Sequence, residues 1–323
     1  MKVLVFGGGA VGLAISSCLI ASGSSVDILG RDDTVRALRE GGLVRTGIFG
    51  EHRSPSASFR CASSLQEFSG QRYDYVLIST KSFDSAKAAE DLAADPGIAA
   101  QVAEGNCRLV LFQNGWGNAE IFASRFPKRG VYSARVITGF RRPEKNRTDI
   151  TVHADAIRLG SLFGLDPAVL QDLSDAIGKG GIPCGVVQDV AKDLWAKMLY
   201  NCALNPLGAL FGVSYGVLGD WDQTRLIMNG IISEIYAVME SGGYRTHWST
   251  PGEYQTVFYG RLVPSTYNHE ASTLQDIRAG KRTEIDALNG AVIELGQRHS
   301  ITSPYNTVVF NMVKFLEARM SVR

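Results

Sequence analysis

"KVLVFGGGAVGLAISSCLIASG" (Lys2–Gly23) decides how the chain begins to fold. "KVLVF" is an unbroken apolar run too short for a helix, which suits a strand buried on both faces. Gly7, Gly9 and Gly12 then form G-x-G-x-x-G, and a helical stretch follows that Gly23 closes. Glycines at that spacing serve three needs of a dinucleotide site: a tight turn, close approach of backbone to pyrophosphate, and close helix–strand packing. The start of the helix adds free N–H groups and the positive end of its dipole. The loop Gly7, Gly8, Gly9, Ala10, Val11 and Gly12 is therefore the expected cofactor cradle. A glycine-rich turn alone is a weak signal, and its place inside a βαβ unit is what makes this one specific.

Outward from the loop the alternation continues. "SVDILGR" reads as a second strand and "TVRALREGG" as a short helix, while "YDYVLIST" and "RLVLFQNG" are two more strands ending in polar residues. Strands alternating with helices give an α/β fold with a mostly parallel, Rossmann-type sheet. Beyond about residue 185 strand runs stop. "DVAKDLWAKMLYNCAL", "TRLIMNGIISEIYAVMES", "TEIDALNGAVIELGQRHS" and "NTVVFNMVKFLEAR" all carry helical apolar spacing. The expected organisation is a Rossmann-type NADP-binding domain over residues 1–187 and an all-helical C-terminal domain over 188–323.

The second strand's end selects the cofactor. NAD sites place Asp or Glu there to accept from the ribose 2′-OH. Here the position holds Gly30 followed by Arg31; Asp27 comes too early, and Asp32 reads as the start of the next helix. A guanidinium without a competing carboxylate suits the 2′-phosphate of NADPH, although Arg31 also fits an ordinary solvated residue.

A length of 323 residues favours two domains, and 45% hydrophobic with 20% charged residues is normal for globular proteins. The net charge of +1 gives no electrostatic case for nucleic acid or an anionic membrane. Five scattered cysteines without C-x-x-C spacing suit reduced thiols better than disulfides, and no metal site is expected. The first residues lack a signal peptide's features, and no apolar run reaches eighteen residues, so a cytoplasmic protein without a membrane span is expected. Oligomeric state is not legible, and a homodimer stays open.

"LWAKMLYNCALNPLGAL" (Leu194–Leu210) reads as a core helix, yet Lys197, Asn201 and Asn205 recur on one face at i, i+4 and i+8. They either face water or line a cleft that holds an anion. A desolvated lysine in such a cleft has a pKa lowered toward neutrality, which suits a general acid. Pro206 lacks an N–H, so a kink or restart is expected there. "EASTLQDIRAGKRTEID" reads first as helix punctuation: Ser272 with Gln275 as a capping box, Gly280 as a stop, and Thr283 capping a helix that has Glu284 and Asp286 in its first turn. At the strand ends, Lys81 reads as solvated or functional. Asn114 reads as turn chemistry or as an amide presented to a ligand, with Gly115 and Gly117 letting the chain turn closely.

Taken together, "GGGAVG", "STKSFD", "FQNGWGN", "LWAKMLYNCALNPLGAL" and "STLQDIRAGKRTEID" resemble the ketopantoate reductase (2-dehydropantoate 2-reductase) family, in family order and over nearly the whole chain. The resemblance implies NADPH-dependent reduction of a 2-oxo acid to a 2-hydroxy acid, on the route to pantothenate and coenzyme A. It places the family's lysine proton donor at Lys197, its substrate-binding asparagines at Asn201 and Asn205, and its substrate-binding serine at Ser272. It makes Asn114 a contact of cofactor and substrate, Lys81 a cofactor-side residue, and Glu284 a neighbour of the nicotinamide ribose and the catalytic lysine.

Two departures from the family pattern stand out. Tyr215 occupies a position where pantoate-forming members carry another substrate-contacting asparagine, and residues 133–160 lack the usual run of small residues. A reductase of another 2-oxo or 3-oxo acid is therefore the nearest alternative. A non-catalytic NADPH-binding sensor is more remote, because a sensor needs only the glycine loop and Arg31.

Overall fold

A computed structural model describes residues 1–320 of the chain. Two units form: Met1–Gln113 with Asn118–Val190, and Asn114–Gly117 with the chain from Ala191 onward.

The first unit is built on strands β1 (Lys2–Phe6), β2 (Ser25–Leu29), β3 (Leu43–Gly47), β4 (His52–Ser54), β5 (Arg60–Ala62), β6 (Tyr75–Ile78), β7 (Arg108–Leu111), β8 (Val131–Arg135), β9 (Thr138–Glu144), β10 (Arg147–His153), β11 (Ile157–Gly160) and β12 (Cys184–Val186). Eight of them form one sheet in the order β12-β11-β8-β7-β6-β1-β2-β5. Every neighbouring pair in it is parallel except β8 with β11. Successive residues of the central strands enter opposite cores. Val3 and Val5 of β1 join one apolar cluster, and Leu4 and Phe6 join the other. Two covered faces leave no polar alternation to read, as the continuous apolar runs require.

A four-stranded sheet of order β4-β3-β10-β9 was not anticipated. Its strands β9 and β10 come from the divergent segment 133–160, and β10 reaches β3 across about a hundred residues to pair in parallel. This sheet packs on the helix Ala10–Ala21, and Thr148 Oγ1 donates to the Ala10 carbonyl at 2.9 Å. The helix is therefore enclosed between two sheets, and Gly12 through Leu19 are all buried. A helix apolar all round is a buried one.

In the second unit the helices are Val190–Phe211, Tyr215–Asp220, Asp222–Ser241, Pro251–Val257, Ser272–Arg278, Asn289–Arg298 and Pro304–Met320, with short 3₁₀ and π turns between them. Among the described residues none is long and apolar enough to cross a membrane. Gly212, at φ +69°, ends the first of them, and its N–H bonds the Gly208 carbonyl at 2.9 Å.

Three local expectations are corrected. The helix does not break at Pro206, which lies inside one continuous element. Proline leaves the carbonyl four residues back, that of Cys202, without its helical donor. Asn289 Nδ2 fills the gap at 3.1 Å and also donates to Asn306 Oδ1 at 3.0 Å. Asn306 in turn donates to Glu234 Oε2 at 2.8 Å, so a buried polar chain stands in for the missing bond. Next, Ser272 and Gln275 form no capping box. Ala271 is the N-cap, Ser272 is exposed in the first turn, and the Gln275 side chain turns to the Glu270 carbonyl. Finally, Thr283 caps only the 3₁₀ turn Ile285–Ala287, accepting from Ile285 N–H at 3.2 Å, and the longer helix starts at Asn289.

Removing Asn289 orphans the Cys202 carbonyl. Asn289→Ala is expected to lower unfolding stability by about 2 kcal/mol, read from urea denaturation. Pro206→Ala restores a backbone donor, so in the Asn289→Ala background it should recover much of that loss. Simple additivity in the double-mutant cycle would refute the substitution of one bond by the other.

Candidate active site

The glycine loop has the geometry its spacing predicts. Gly7 sits at φ +122°, and a Cβ there would lie 2.8 Å from Thr80 N. A Cβ on Gly12 would lie 2.0 Å from the Gly7 carbonyl oxygen and 2.4 Å from Ser79 Oγ. On Gly9 the nearest atom would be 3.8 Å away, which leaves open space beside the helix start. Gly9 is the N-cap of the helix Ala10–Ala21 and satisfies none of its free N–H groups with a side chain. The loop thus combines a strained turn, a sealed helix–strand contact and an open face of N–H donors. That combination fits a dinucleotide pyrophosphate.

At the end of β2, Arg31 is exposed and caps the helix Asp32–Gly41, with Asp32 as its first residue. Asp27 is 1% exposed and accepts from the Tyr73 hydroxyl at 2.7 Å, so the early carboxylate is committed to the core. After β6, Lys81 is half-buried and leads into the turn Ser82–Asp84. Gln113, after β7, donates to Thr80 Oγ1 at 3.2 Å and Ser85 Oγ at 2.8 Å, tying the two strand ends together.

The helical unit gathers the remaining polar residues. Asn114 stands between Lys197 and Glu284: Lys197 Nζ donates to Asn114 Oδ1 at 2.5 Å, and Asn114 Nδ2 donates to Glu284 Oε2 at 3.0 Å. Lys197 is half-buried and Glu284 is 6% exposed. The turn is held by close packing. Gly115 adopts φ +88°, and a Cβ on it would lie 2.3 Å from the Ala287 carbonyl oxygen, to which Trp116 N–H donates at 2.9 Å. Trp116 stacks against Trp195 at 4.6 Å, and Tyr244 meets its edge at 4.8 Å. Asn114 is therefore more than a turn residue, because its amide is oriented at both ends.

One turn further along the same helix, Asn201 is half-buried, and its side chain makes no hydrogen bond among the described residues. Asn205 is 2% exposed, and its Oδ1 accepts from the Tyr215 hydroxyl at 2.5 Å. Burial pushes the Tyr215 phenol well above its ordinary pKa, so it stays protonated and donates. Tyr215 packs against Tyr200 at 5.6 Å and His269 at 5.1 Å. Burial also lowers the His269 pKa and favours its neutral form. Ser272 lies one residue beyond the buried Ala271.

The chain as a whole is similar to known proteins. The model of the family described as ketopantoate reductase PanE/ApbA matches residues 3–163, and that of its C-terminal part matches residues 189–317. The 2-dehydropantoate 2-reductase of Aquifex aeolicus is 35% identical over 98% of this chain and 97% of its own. The chain belongs to the ketopantoate reductase family. As a member of that family it is an oxidoreductase. A 2-dehydropantoate 2-reductase from Pyrococcus horikoshii is 27% identical over 98% of each chain. Two solved structures share the fold. That of the 2-dehydropantoate 2-reductase from Geobacter metallireducens has a TM-score of 0.86 at 24% identity, covering 97% of this chain and 99% of its own. That of D-mandelate dehydrogenase with NADH and anilino(oxo)acetate has a TM-score of 0.86 at 20% identity, covering 99% and 100%.

Two contacts within this family member were not visible in sequence. The Tyr215 bond to Asn205 joins two helices at a separation of ten residues, which no helical period connects. Trp116 left a faint signal, since a tryptophan inside "NGWGN" is costly to leave in a solvated turn.

The two inner glycines should respond differently to a methyl group. Gly12→Ala meets backbone at 2.0 Å and is expected to cost about 3 kcal/mol, whereas Gly9→Ala should melt within a degree or two of the parent. Equal melting temperatures for both variants would contradict this packing.

Proposed function

We propose that this protein is a cytoplasmic, NADPH-dependent reductase that converts 2-dehydropantoate to pantoate, with Lys197 as proton donor. The observation that carries the reading is the oriented series Lys197–Asn114–Glu284, with Lys197 on a helix that also carries Asn201 and Asn205. NADPH, when bound, supplies the hydride for the carbonyl carbon. Gly7 to Gly12 would hold its pyrophosphate, Arg31 its 2′-phosphate, and Lys81 and Asn114 would contribute further contacts to the cofactor.

The chain's own residues supply the rest. Reduction turns a carbonyl oxygen into an alkoxide, so a cation and amide donors aimed there stabilise the transition state more than the ground state. Lys197 provides the cation and the proton. Asn114 Oδ1 accepts one of its three N–H groups and so fixes where the ammonium points. Glu284 holds the opposite end of that amide and prevents its rotation. Asn201, Asn205 and Ser272 would bind the carboxylate and hydroxyl groups of the substrate. Because Tyr215 takes the Asn205 oxygen, the Nδ2 of that side chain would be its donor for a ligand.

A second reading keeps the chemistry and changes the acid. Tyr215 puts an aromatic ring, with Tyr200 and His269 around it, where an asparagine was expected. A 2-oxo acid with a different side chain would meet that surface.

Purified protein with NADPH and a panel of 2-oxo acids, followed at the absorbance of reduced nicotinamide, distinguishes the two readings. 2-Dehydropantoate should give the highest kcat/KM; a higher value for another acid selects the second reading, and binding without turnover of any acid refutes both. Lys197→Ala should lower kcat at least about a hundredfold with little change in the KM for NADPH. An unchanged kcat would remove Lys197 from the mechanism.

A further inference from the structure

Arg142 lies on β9, in the hairpin that the divergent segment contributes. Its Nη2 donates to Thr34 Oγ1 at 2.7 Å and to the Lys145 carbonyl at 2.6 Å. Thr34 belongs to the first turn of the helix after β2, and its N–H bonds the Arg31 carbonyl at 2.9 Å. The Thr34 methyl fills the space beside two glycines: a Cβ on Gly8 would come within 3.0 Å of it, and one on Gly30 within 3.2 Å. Arg142 therefore reaches, from a distant strand, the junction of the glycine loop with the end of β2. In this fold the residue after β2 reads the ribose 2′ position.

The charges at this junction are unbalanced. The nearby carboxylate of Asp33 is held by Lys145 Nζ at 2.6 Å. Among the described residues Arg142 makes no ion pair, its Nη1 makes no hydrogen bond, and its Nε is buried without a partner. Half-burial lowers the pKa of Arg142; the Asp33 carboxylate opposes this, and the like charge of Arg31 adds to it. A half-buried guanidinium next to another one, with the local acid already engaged, is a poor arrangement unless a dianion joins them. Arginine suits that task because its planar fork can meet phosphate oxygens in pairs.

We propose that Arg142 is a second ligand of the NADPH 2′-phosphate, approaching from the β9–β10 hairpin while Arg31 approaches from the end of β2. The inference rests on the proposed use of NADPH through Arg31. It gives residues 133–160 a role in cofactor choice, with Thr34 as the contact that positions the guanidinium.

Binding tests it without turnover. Dissociation constants for NADPH, NADH and adenosine 2′,5′-bisphosphate are measured by calorimetry for the parent, Arg31→Ala, Arg142→Ala and Arg142→Lys, with melting curves to establish folding. Arg142→Ala should weaken NADPH and the bisphosphate about tenfold or more and leave NADH within about twofold, and Arg142→Lys should fall between it and the parent. Equal losses for NADPH and NADH would mean that Arg142 only shapes the hairpin, which overturns the proposal. An unchanged NADPH constant in Arg142→Ala, beside a weakened one in Arg31→Ala, overturns it and leaves the Arg31 reading standing. A parent that binds NADH as tightly as NADPH removes the 2′-phosphate reading itself. Should Arg142→Ala not fold, Arg142→Gln carries the same comparison.

Discussion

An amide has one accepting end and one donating end, and in Asn114 both are used. Lys197 occupies the oxygen and Glu284 the nitrogen. The amide sets the ammonium beside its accepting oxygen and the carboxylate beside its donating nitrogen. Exchanging the amide's ends would oppose a nitrogen donor to an ammonium and an oxygen to a carboxylate, so one orientation is far better than the other. The turn that carries Asn114 is correspondingly rigid. Gly115 allows backbone contact with Ala287, and Trp116 is clamped against Trp195. Lys197, Glu284 and the turn thus define one another, although their sequence positions span 114 to 284.

The same helix shows how polar function is kept in an apolar environment. Trp195, Leu199, Cys202, Ala203 and Leu204 are all fully buried, so the helix stays in place whatever the polar face does. Pro206 removes one N–H from that interior, and Asn289 replaces it. The same Asn289 amide nitrogen also donates to Asn306, which donates to Glu234, and Glu234 accepts in addition from the N–H groups of Tyr305 and Asn306 at the start of the last helix. Isolated, any of these buried polar groups would be costly; linked, they tie four helices together.

Legibility followed the range of the interactions involved. The glycine loop was readable because Gly7 and Gly12 answer to atoms only a few residues or one strand away, and a Cβ at either would strike backbone. Asp32 was readable as the start of the next helix because that signal belongs to one turn. The β9–β10 hairpin was not, because its partner β3 lies about a hundred residues upstream and its outer residues are polar. A clue did exist, since the helix Ala10–Ala21 is apolar on every side and one sheet covers only one side. Pro206 was correctly read as lacking a donor and wrongly read as a break, because the compensating amide came from residue 289. Ser272 illustrates the opposite error: a local capping pattern was present, and the helix starts after Ala271 without a side-chain cap.

The polar stripe also constrains the charge of what it meets. Lys197 offers an ammonium, Asn201 has an uncommitted amide, and Asn205 has its oxygen engaged by a protonated Tyr215. Along this face the Asn205 oxygen that would have welcomed a donor is already engaged. His269, kept toward its neutral form by burial, adds no further positive charge there. On the function proposed above, a ligand fitted to such a face carries acceptors and a negative charge, as a 2-oxo acid does, and its side chain would lie toward the Tyr200–Tyr215 pair. On that reading the donors would constrain the reacting end of the ligand, and the aromatic pair the end that differs from one acid to another.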